Sequence, residues 1–223
     1  PYVDNFNLKN RSFVIQGLPF VIQQSWGERT EDDLEPTGLK WTGAAVWDAA
    51  VVLSDFLLKN RTLVEGKRVL ELGAGLALVS AAVGHAGADS IIATDYEEHV
   101  LNLARKNLAR NLPEYTAKKK AEVKVLGWGE TTAAEVLGPP FDVLVGSDVV
   151  YREEFFKPLI QTIGWLMSER SILILAHKNR GLSEEKFFFW LKREFDLVEH
   201  LQPSQLSSEF FNSGVQVQIF KKK

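Results

Sequence analysis

The chain has 223 residues, 45% hydrophobic and 25% charged, with 29 acidic side chains against 26 Lys and Arg, which suits one globular domain with a full core. A net charge of −3 gives no global positive field to attract phosphate backbones, so nucleic acid is not expected as the main partner. With no Cys, disulfides, thiolate-held metals and thiol catalysis are excluded, and His85, His99, His177 and His200 are scattered without metal-ligand spacing, so no metal is expected.

The chain opens on Pro1 rather than Met, which reads as an N-terminus trimmed by processing or by design. No run approaches the ~18 apolar residues of a membrane span and no charged-then-apolar leader is present. The expectation is a soluble monomer inside the cell, cytoplasmic with the nucleus as a second location, and without a membrane partner. Residues 11–25 alternate apolar and polar around Gly17-Leu18-Pro19 and predict a β-hairpin. Residues 27–40 gather Glu28, Glu31, Asp32, Asp33 and Glu35, with Pro36 and Gly38 as punctuation. They read as a solvated loop, with attraction of a basic peptide as the second reading. Residues 44–58 carry apolar side chains at helical spacing.

From residue 67 strands and helices alternate. β-rich runs lie at 68–72, 90–94, 121–126, 141–146 and 171–176, and helical patterns near 76–86, 97–110, 153–167 and 183–194, with a short helix over 131–137. Val143-Leu144-Val145 is apolar without alternation, as in a parallel strand covered on both faces. Runs at 196–201 and 215–220 have no crossover helix between them and predict an antiparallel ribbon. Phe187-Phe188-Phe189-Trp190 reads first as core packing. Together these predict one domain over 1–223, with a hairpin and loop in 1–43 and the core in 44–223. Its fold class is α/β: a doubly wound, mostly parallel, seven-stranded Rossmann-like sheet with a C-terminal antiparallel hairpin, plus an N-terminal β-hairpin.

Val69-Leu70-Glu71-Leu72-Gly73-Ala74-Gly75 runs a hydrophobic strand into a glycine turn and then a helix. Glycines are needed where the backbone bends sharply and a ligand approaches a helix N-terminus. Asp95, 20 residues after Gly75, ends the next strand, where a carboxylate can accept hydrogen bonds from a ribose diol. The alternative is an ordinary turn with Asp95 capping the following helix. A dinucleotide fingerprint wants Gly or Ala at the place Leu78 holds, and Glu71 sits poorly beside a pyrophosphate but suits a ligand carrying an ammonium and a sulfonium.

Four segments then recur together: the Glu-Leu-Gly-Ala-Gly loop, Val46-Trp47-Asp48-Ala49-Ala50, Trp128-Gly129 after the third strand, and Asp148-Val149-Val150-Tyr151 after the fourth. They resemble the seven-β-strand, class I S-adenosylmethionine-dependent protein-lysine methyltransferases of the methyltransferase-like 21 family, also called family 16. One departure is Ala77, where that family usually has a third glycine; a methyl there should narrow the loop slightly. The resemblance implies S-adenosylmethionine as cofactor and S-adenosylhomocysteine as product. It implies Trp47 near the cofactor, Gly73, Ala74 and Gly75 beside its methionine part with Glu71 before them, Asp95 on the ribose, Trp128 flanking the adenine and Ser147 lining the pocket. From spacing alone, core packing fits either tryptophan equally well.

The same resemblance implies Asp148 and Tyr151 beside the acceptor nitrogen. A lysine ammonium, with a pKa of about 10.4 in water, must lose its proton before it can take a methyl group. Asp148 can orient the amine and pass its proton to water, and Tyr151 can offer a ring face and a hydroxyl. From the residues alone, Asp148 as a cap for a helix near Glu153 and a packed Tyr151 remain open. The implied partner is a protein carrying the target lysine: an elongation factor, an Hsp70-type chaperone or an AAA ATPase. The alternatives are methylation of a protein arginine or histidine or of a small amine on the same scaffold, and a non-catalytic cofactor-binding protein. A dinucleotide oxidoreductase is the further alternative that Leu78 speaks against.

Overall fold

The computed structural model of the chain describes residues 8–25, 42–181 and 183–223. The acidic stretch from Glu28 to Glu35 and the N-terminal Pro1 lie outside the described residues. Strands β1 (Asn10–Ile15) and β2 (Leu18–Gln23) pair antiparallel with Ile15 opposite Leu18. The turn is Gln16-Gly17, at φ 50° and 75°. Positive φ at both central residues is what a two-residue hairpin turn of matching twist needs. The turn therefore falls earlier than expected, because Pro19 has its φ locked negative and goes into β2.

A two-stranded hairpin is marginal alone. This one buries Ile15, Phe20 and Ile22 in the core, and its free edge is paired by side chains. Asn107 and Asn111, one turn apart on a helix, each take both backbone groups of one β2 residue. Gln23 N and Val21 N donate to their Oδ1 atoms at 2.8 and 3.0 Å, and their Nδ2 atoms donate to the Gln23 and Val21 carbonyls at 3.1 and 3.0 Å. Those four bonds cover a strand edge that would otherwise invite a partner.

The main sheet contains β3 (Arg68–Leu72), β4 (Ser90–Asp95), β5 (Ala121–Val125), β6 (Phe141–Ser147), β7 (Met167–Lys178), β8 (Phe195–Leu201) and β9 (Val215–Lys222), in the order β5-β4-β3-β6-β7-β9-β8. The first five are parallel, and β9 runs antiparallel between β7 and β8. The sheet is thus largely parallel and doubly wound, ending in an antiparallel hairpin as expected. Helices α1 (Asp48–Lys59), α2 (Leu78–His85) and α3 (Glu98–Asn111) share one core with Val69, Val143 and Val145. On the other face, α5 (Thr131–Val136), α6 (Phe156–Leu166) and α7 (Glu184–Glu194) pack with Leu70, Leu72 and Leu144, after the short α4 (Pro113–Ala117) that the pattern did not reveal. Adjacent residues of β3 and β6 enter opposite cores, which is why those strands read as unbroken apolar runs. Phe187 and Phe188 are core as expected, whereas Phe189 is exposed.

The helix expected over 44–58 begins only at Asp48. Trp47 is extended, at φ −94° and ψ 158°. The hairpin takes the backbone groups that a helix would use: Arg11 Nη1 donates to the Val46 carbonyl at 2.8 Å, Val46 N donates to Gln24 Oε1 at 3.0 Å, and Ser25 N donates to the Ala44 carbonyl. Tertiary hydrogen bonds override helical propensity here. The strand order reverses at β3, with β4 on one side and β6 on the other. This is the topological switch where ligands of open α/β sheets bind, outside the carboxyl ends of the strands.

Candidate active site

A cavity of about 310 Å³ opens at that switch point. Its first wall is the turn after β3. Gly73 and Gly75 have φ of 57° and 51°, and a Cβ on Gly73 would meet Val149 Cγ1 at 2.9 Å and Trp128 Cζ2 at 3.3 Å. Only glycine fits both the dihedral and the space. Gly75 N donates to Asp95 Oδ2 at 3.0 Å, and Tyr96 N donates to Asp95 Oδ1 at 2.8 Å. Burial raises the Asp95 pKa above the ordinary carboxylate value, and the amides of Gly75, Tyr96 and Glu97 pull it back. Asp95 thus ties the glycine turn to the start of α3 while facing the cavity; turn support and ligand approach coexist.

Ala77 also has positive φ, 62°, and is fully buried at the start of α2. It is not among the cavity-lining residues, so its methyl does not narrow the site. Its effect is backbone strain, of order 1 kcal/mol for a non-glycine residue there.

Glu71 departs from expectation. It is not among the lining residues; it points into the sheet–helix interface, 1% exposed, where Ser80 N donates to its Oε2 at 2.9 Å and the Ser80 hydroxyl donates to the same oxygen. Burial pushes its pKa up to about 8, against the opposing Ser80 hydrogen bonds. Strand alternation is the reason: side chains of successive residues face opposite sides of β3, and the one preceding Leu72 turns toward α2.

The opposite wall joins distant segments. Trp47 lines the cavity, with Nε1 donating to the Thr42 carbonyl at 2.8 Å. Trp128 lines it from the loop after β5 and meets Phe155 edge to face at 6.0 Å. Ser147 and Asp148 come from the end of β6, and Tyr151 from the loop beyond, its hydroxyl 3.4 Å from Thr42 Oγ1. Asp148 has φ 52°, rare for a residue with a side chain, and its N donates to the Ala176 carbonyl at 2.9 Å. Its side chain is 8% exposed and accepts a two-pronged hydrogen bond from Arg180, at 2.8 and 3.0 Å, plus one from Lys178 N at 3.2 Å. Asp148 therefore does not cap the helix near Glu153.

Trp47, Gly73, Ala74, Gly75, Asp95, Trp128, Ser147, Asp148 and Tyr151 converge on this one cavity. Sequence reading missed Thr42, Tyr96, Glu97, Glu130 and Phe155 of the lining, and Arg180 behind Asp148. Tyr96 and Glu97 had a usable signal in their place directly after the strand-terminal acid. Arg180, 32 residues from its partner, had none. The cavity is lined by Asp95, Glu97, Glu130 and Asp148 and, among the described residues, by no Lys, Arg or His. Such a lining suits a cationic ligand and opposes a pyrophosphate.

The profile of the lysine methyltransferase family matches residues 29–194. The chain is 37% identical over 163 residues, 73% of each chain, to protein N-lysine methyltransferase METTL21A of Mus musculus. It is 29% identical over 228 residues to METTL21A of Xenopus tropicalis, which covers 99% of this chain and 94% of that one. In fold it is similar to the magnesium protoporphyrin IX methyltransferase of Synechocystis, solved with S-adenosylmethionine bound, at TM-score 0.57 and 16% identity over 78% of each chain.

Proposed function

The chain belongs to the lysine methyltransferase family, and we propose that its acidic cavity divides into a cofactor half around Gly73, Gly75 and Asp95 and an acceptor half around Asp148 and Tyr151. It is an enzyme that uses S-adenosylmethionine to methylate protein lysine. The cofactor supplies a methyl carbon on a positively charged sulfur: that bond breaks as the amine lone pair forms the new carbon–nitrogen bond, and S-adenosylhomocysteine leaves.

The lining fits that cofactor. Asp95 stands at the strand end and accepts the Tyr96 and Glu97 amides on Oδ1 and the Gly75 amide on Oδ2, which leaves a site on Oδ2 for a ribose hydroxyl. The positive-φ turn presents backbone rather than side chains to the methionine part. Trp128 offers a flat face for the purine, Ser147 lines the pocket at the end of β6, and Trp47 offers a ring that a cation can lie against. On the acceptor side, Asp148 orients the amine by accepting one of its hydrogens, and Tyr151 flanks it with ring and hydroxyl. Desolvation on entering the cavity lowers the lysine pKa, so that its proton leaves to water before transfer. Alignment is the main device, because the donor carbon is already activated.

The target is a lysine of a protein, with an elongation factor, an Hsp70-type chaperone and an AAA ATPase as candidates. What carries the reading is the convergence of Asp148 and Tyr151 on the cavity that holds the glycine turn and Asp95. The experiment incubates cell extract with radiolabelled S-adenosylmethionine and this protein or its Asp148→Ala variant, then hydrolyses the labelled bands. A discrete band yielding methyl-lysine, absent with the variant, is the expected result. Label on arginine or histidine moves the chemistry to another acceptor, and no label despite cofactor binding favours a non-catalytic role.

A further inference from the structure

Asp148, resting on its assignment above to the acceptor half, is not a free carboxylate. Arg180 Nη1 donates to its Oδ1 at 2.8 Å, Arg180 Nη2 to its Oδ2 at 3.0 Å, and Lys178 N to its Oδ1 at 3.2 Å. An ionised carboxylate has about four lone-pair sites. Three are taken, two on Oδ1 and one on Oδ2, so a single site on Oδ2 is left for an incoming N–H.

Arg180 is held in place for this. Its Nη1 also reaches the Lys178 carbonyl at 3.3 Å, its backbone N donates to Glu184 Oε1 at 2.7 Å, and its guanidinium carbon stands 5.7 Å from the Trp47 ring centre. The other charged groups around the pair are Lys178, Asp48 and Glu184, and the two acids act on the Arg180 guanidinium. Lys178 Nζ is paired with Asp48 at 3.5 Å. Glu184 is engaged on the Arg180 amide. His177 is buried, which pushes its pKa down to about 4 and leaves it neutral. Tyr151 brings a hydroxyl.

We propose that Arg180 is a positioning residue for methyl transfer: it fixes the Asp148 carboxylate and offsets its charge, so that the target lysine is met as a hydrogen-bonding amine rather than trapped as an ammonium ion pair. A bare, nearly buried carboxylate would take the lysine ammonium as its counter-ion and hold the proton that must leave before nitrogen can attack. A guanidinium stays charged at any working pH, so the offset does not titrate away. The lysine proton goes to water, and Asp148 keeps one lone pair with which to aim the nitrogen.

This gives a signature that a merely structural role does not: without the Arg180 charge the acceptor half binds a cation more tightly and transfers methyl more slowly. The probe is n-butylammonium, which has the end of a lysine side chain, titrated into protein loaded with S-adenosylhomocysteine at pH 7. Arg180→Gln should tighten its binding about tenfold with S-adenosylhomocysteine affinity kept, and Arg180→Lys, which keeps the charge but not the two-pronged bond, should bring it back toward the wild-type value. Label transfer to extract protein by Arg180→Gln should be about tenfold slower at pH 7, with the gap narrowing as the pH rises toward the amine's own pKa of about 10.4. Butylammonium binding that is unchanged or weaker in Arg180→Gln overturns the proposal; Arg180→Ala replaces that variant if it loses S-adenosylhomocysteine. Adding Asp148→Asn to Arg180→Gln should abolish the gain. A gain that persists would place the cation elsewhere, which defeats the acceptor assignment of Asp148 rather than the role of Arg180 alone.

Discussion

The two halves of the cavity are built from different materials. The cofactor half is backbone: a turn of positive-φ residues between β3 and α2, tied by Gly75 N to the one carboxylate at the end of β4. Around that turn stand Trp47, Trp128 and Ser147, from the segment before α1, the loop after β5 and the end of β6. The acceptor half is side chain: Asp148 and Tyr151 after β6, and Arg180 after β7. A half made of backbone tolerates few substitutions because its shape is the dihedral angle itself. A half made of side chains can change charge without losing the fold.

That contrast breaks most visibly at Asp95. Asp95→Ala should weaken S-adenosylhomocysteine binding at least a hundredfold by calorimetry, because it removes a ligand acceptor and the acceptor of the Gly75 and Tyr96 amides together. Micromolar affinity kept in the variant would separate Asp95 from the cofactor half. Asp148→Asn should do the reverse, keeping S-adenosylhomocysteine affinity within about threefold while slowing turnover about a hundredfold. An unchanged rate would remove Asp148 from the acceptor half.

A smaller effect sharpens the boundary of the cofactor half. With its pKa pushed to about 8, Glu71 is protonated in the folded protein at pH 7 and ionised in the unfolded chain, whose value is near 4.5. Folding therefore takes up a proton, and this contribution to stability falls as pH rises from about 4.5 to 8, then levels. Glu71→Gln should flatten denaturation midpoints across pH 5–8 relative to wild type, by up to about 1 kcal/mol per pH unit, with cofactor affinity little changed. A matching pH slope in both proteins would show that Glu71 is ionised when folded. The smallest effect belongs to Ala77→Gly. Relief of the positive φ nearly cancels the loss of a buried methyl and the added freedom of the unfolded chain, so stability should move by less than about 1 kcal/mol. A large loss would mean that the methyl packs more closely than strain alone implies.

The cofactor half was legible in the sequence because its rule is local. A strand, two glycines two residues apart and an acid 20 residues on describe its turn and the carboxylate tied to it. Even there Glu71 misled, since its place next to the glycines says nothing of which strand face it takes. In the acceptor half, Asp148 and Tyr151 were found through a four-residue resemblance, but their surroundings were not. The spacing that predicted a helix from 44 could not reveal that Arg11 and Gln24 hold the Val46 backbone and leave Trp47 extended. Nor could any spacing join Arg180 to Asp148.

Hydrophobic periodicity and turn chemistry determined the doubly wound sheet and the strand-end location of the site, because those depend on neighbours along the chain, while the class of cofactor was legible through the four segments that resemble the family. The tertiary structure alone decided the electrostatic state of the reactive end. It turned Glu71 away from the cavity and set a guanidinium against Asp148, and it fastened Trp47 with a hairpin from the far N-terminus. Charge interactions depend on distance and burial in space, and the sequence order of residues 11, 47, 148 and 180 carries neither.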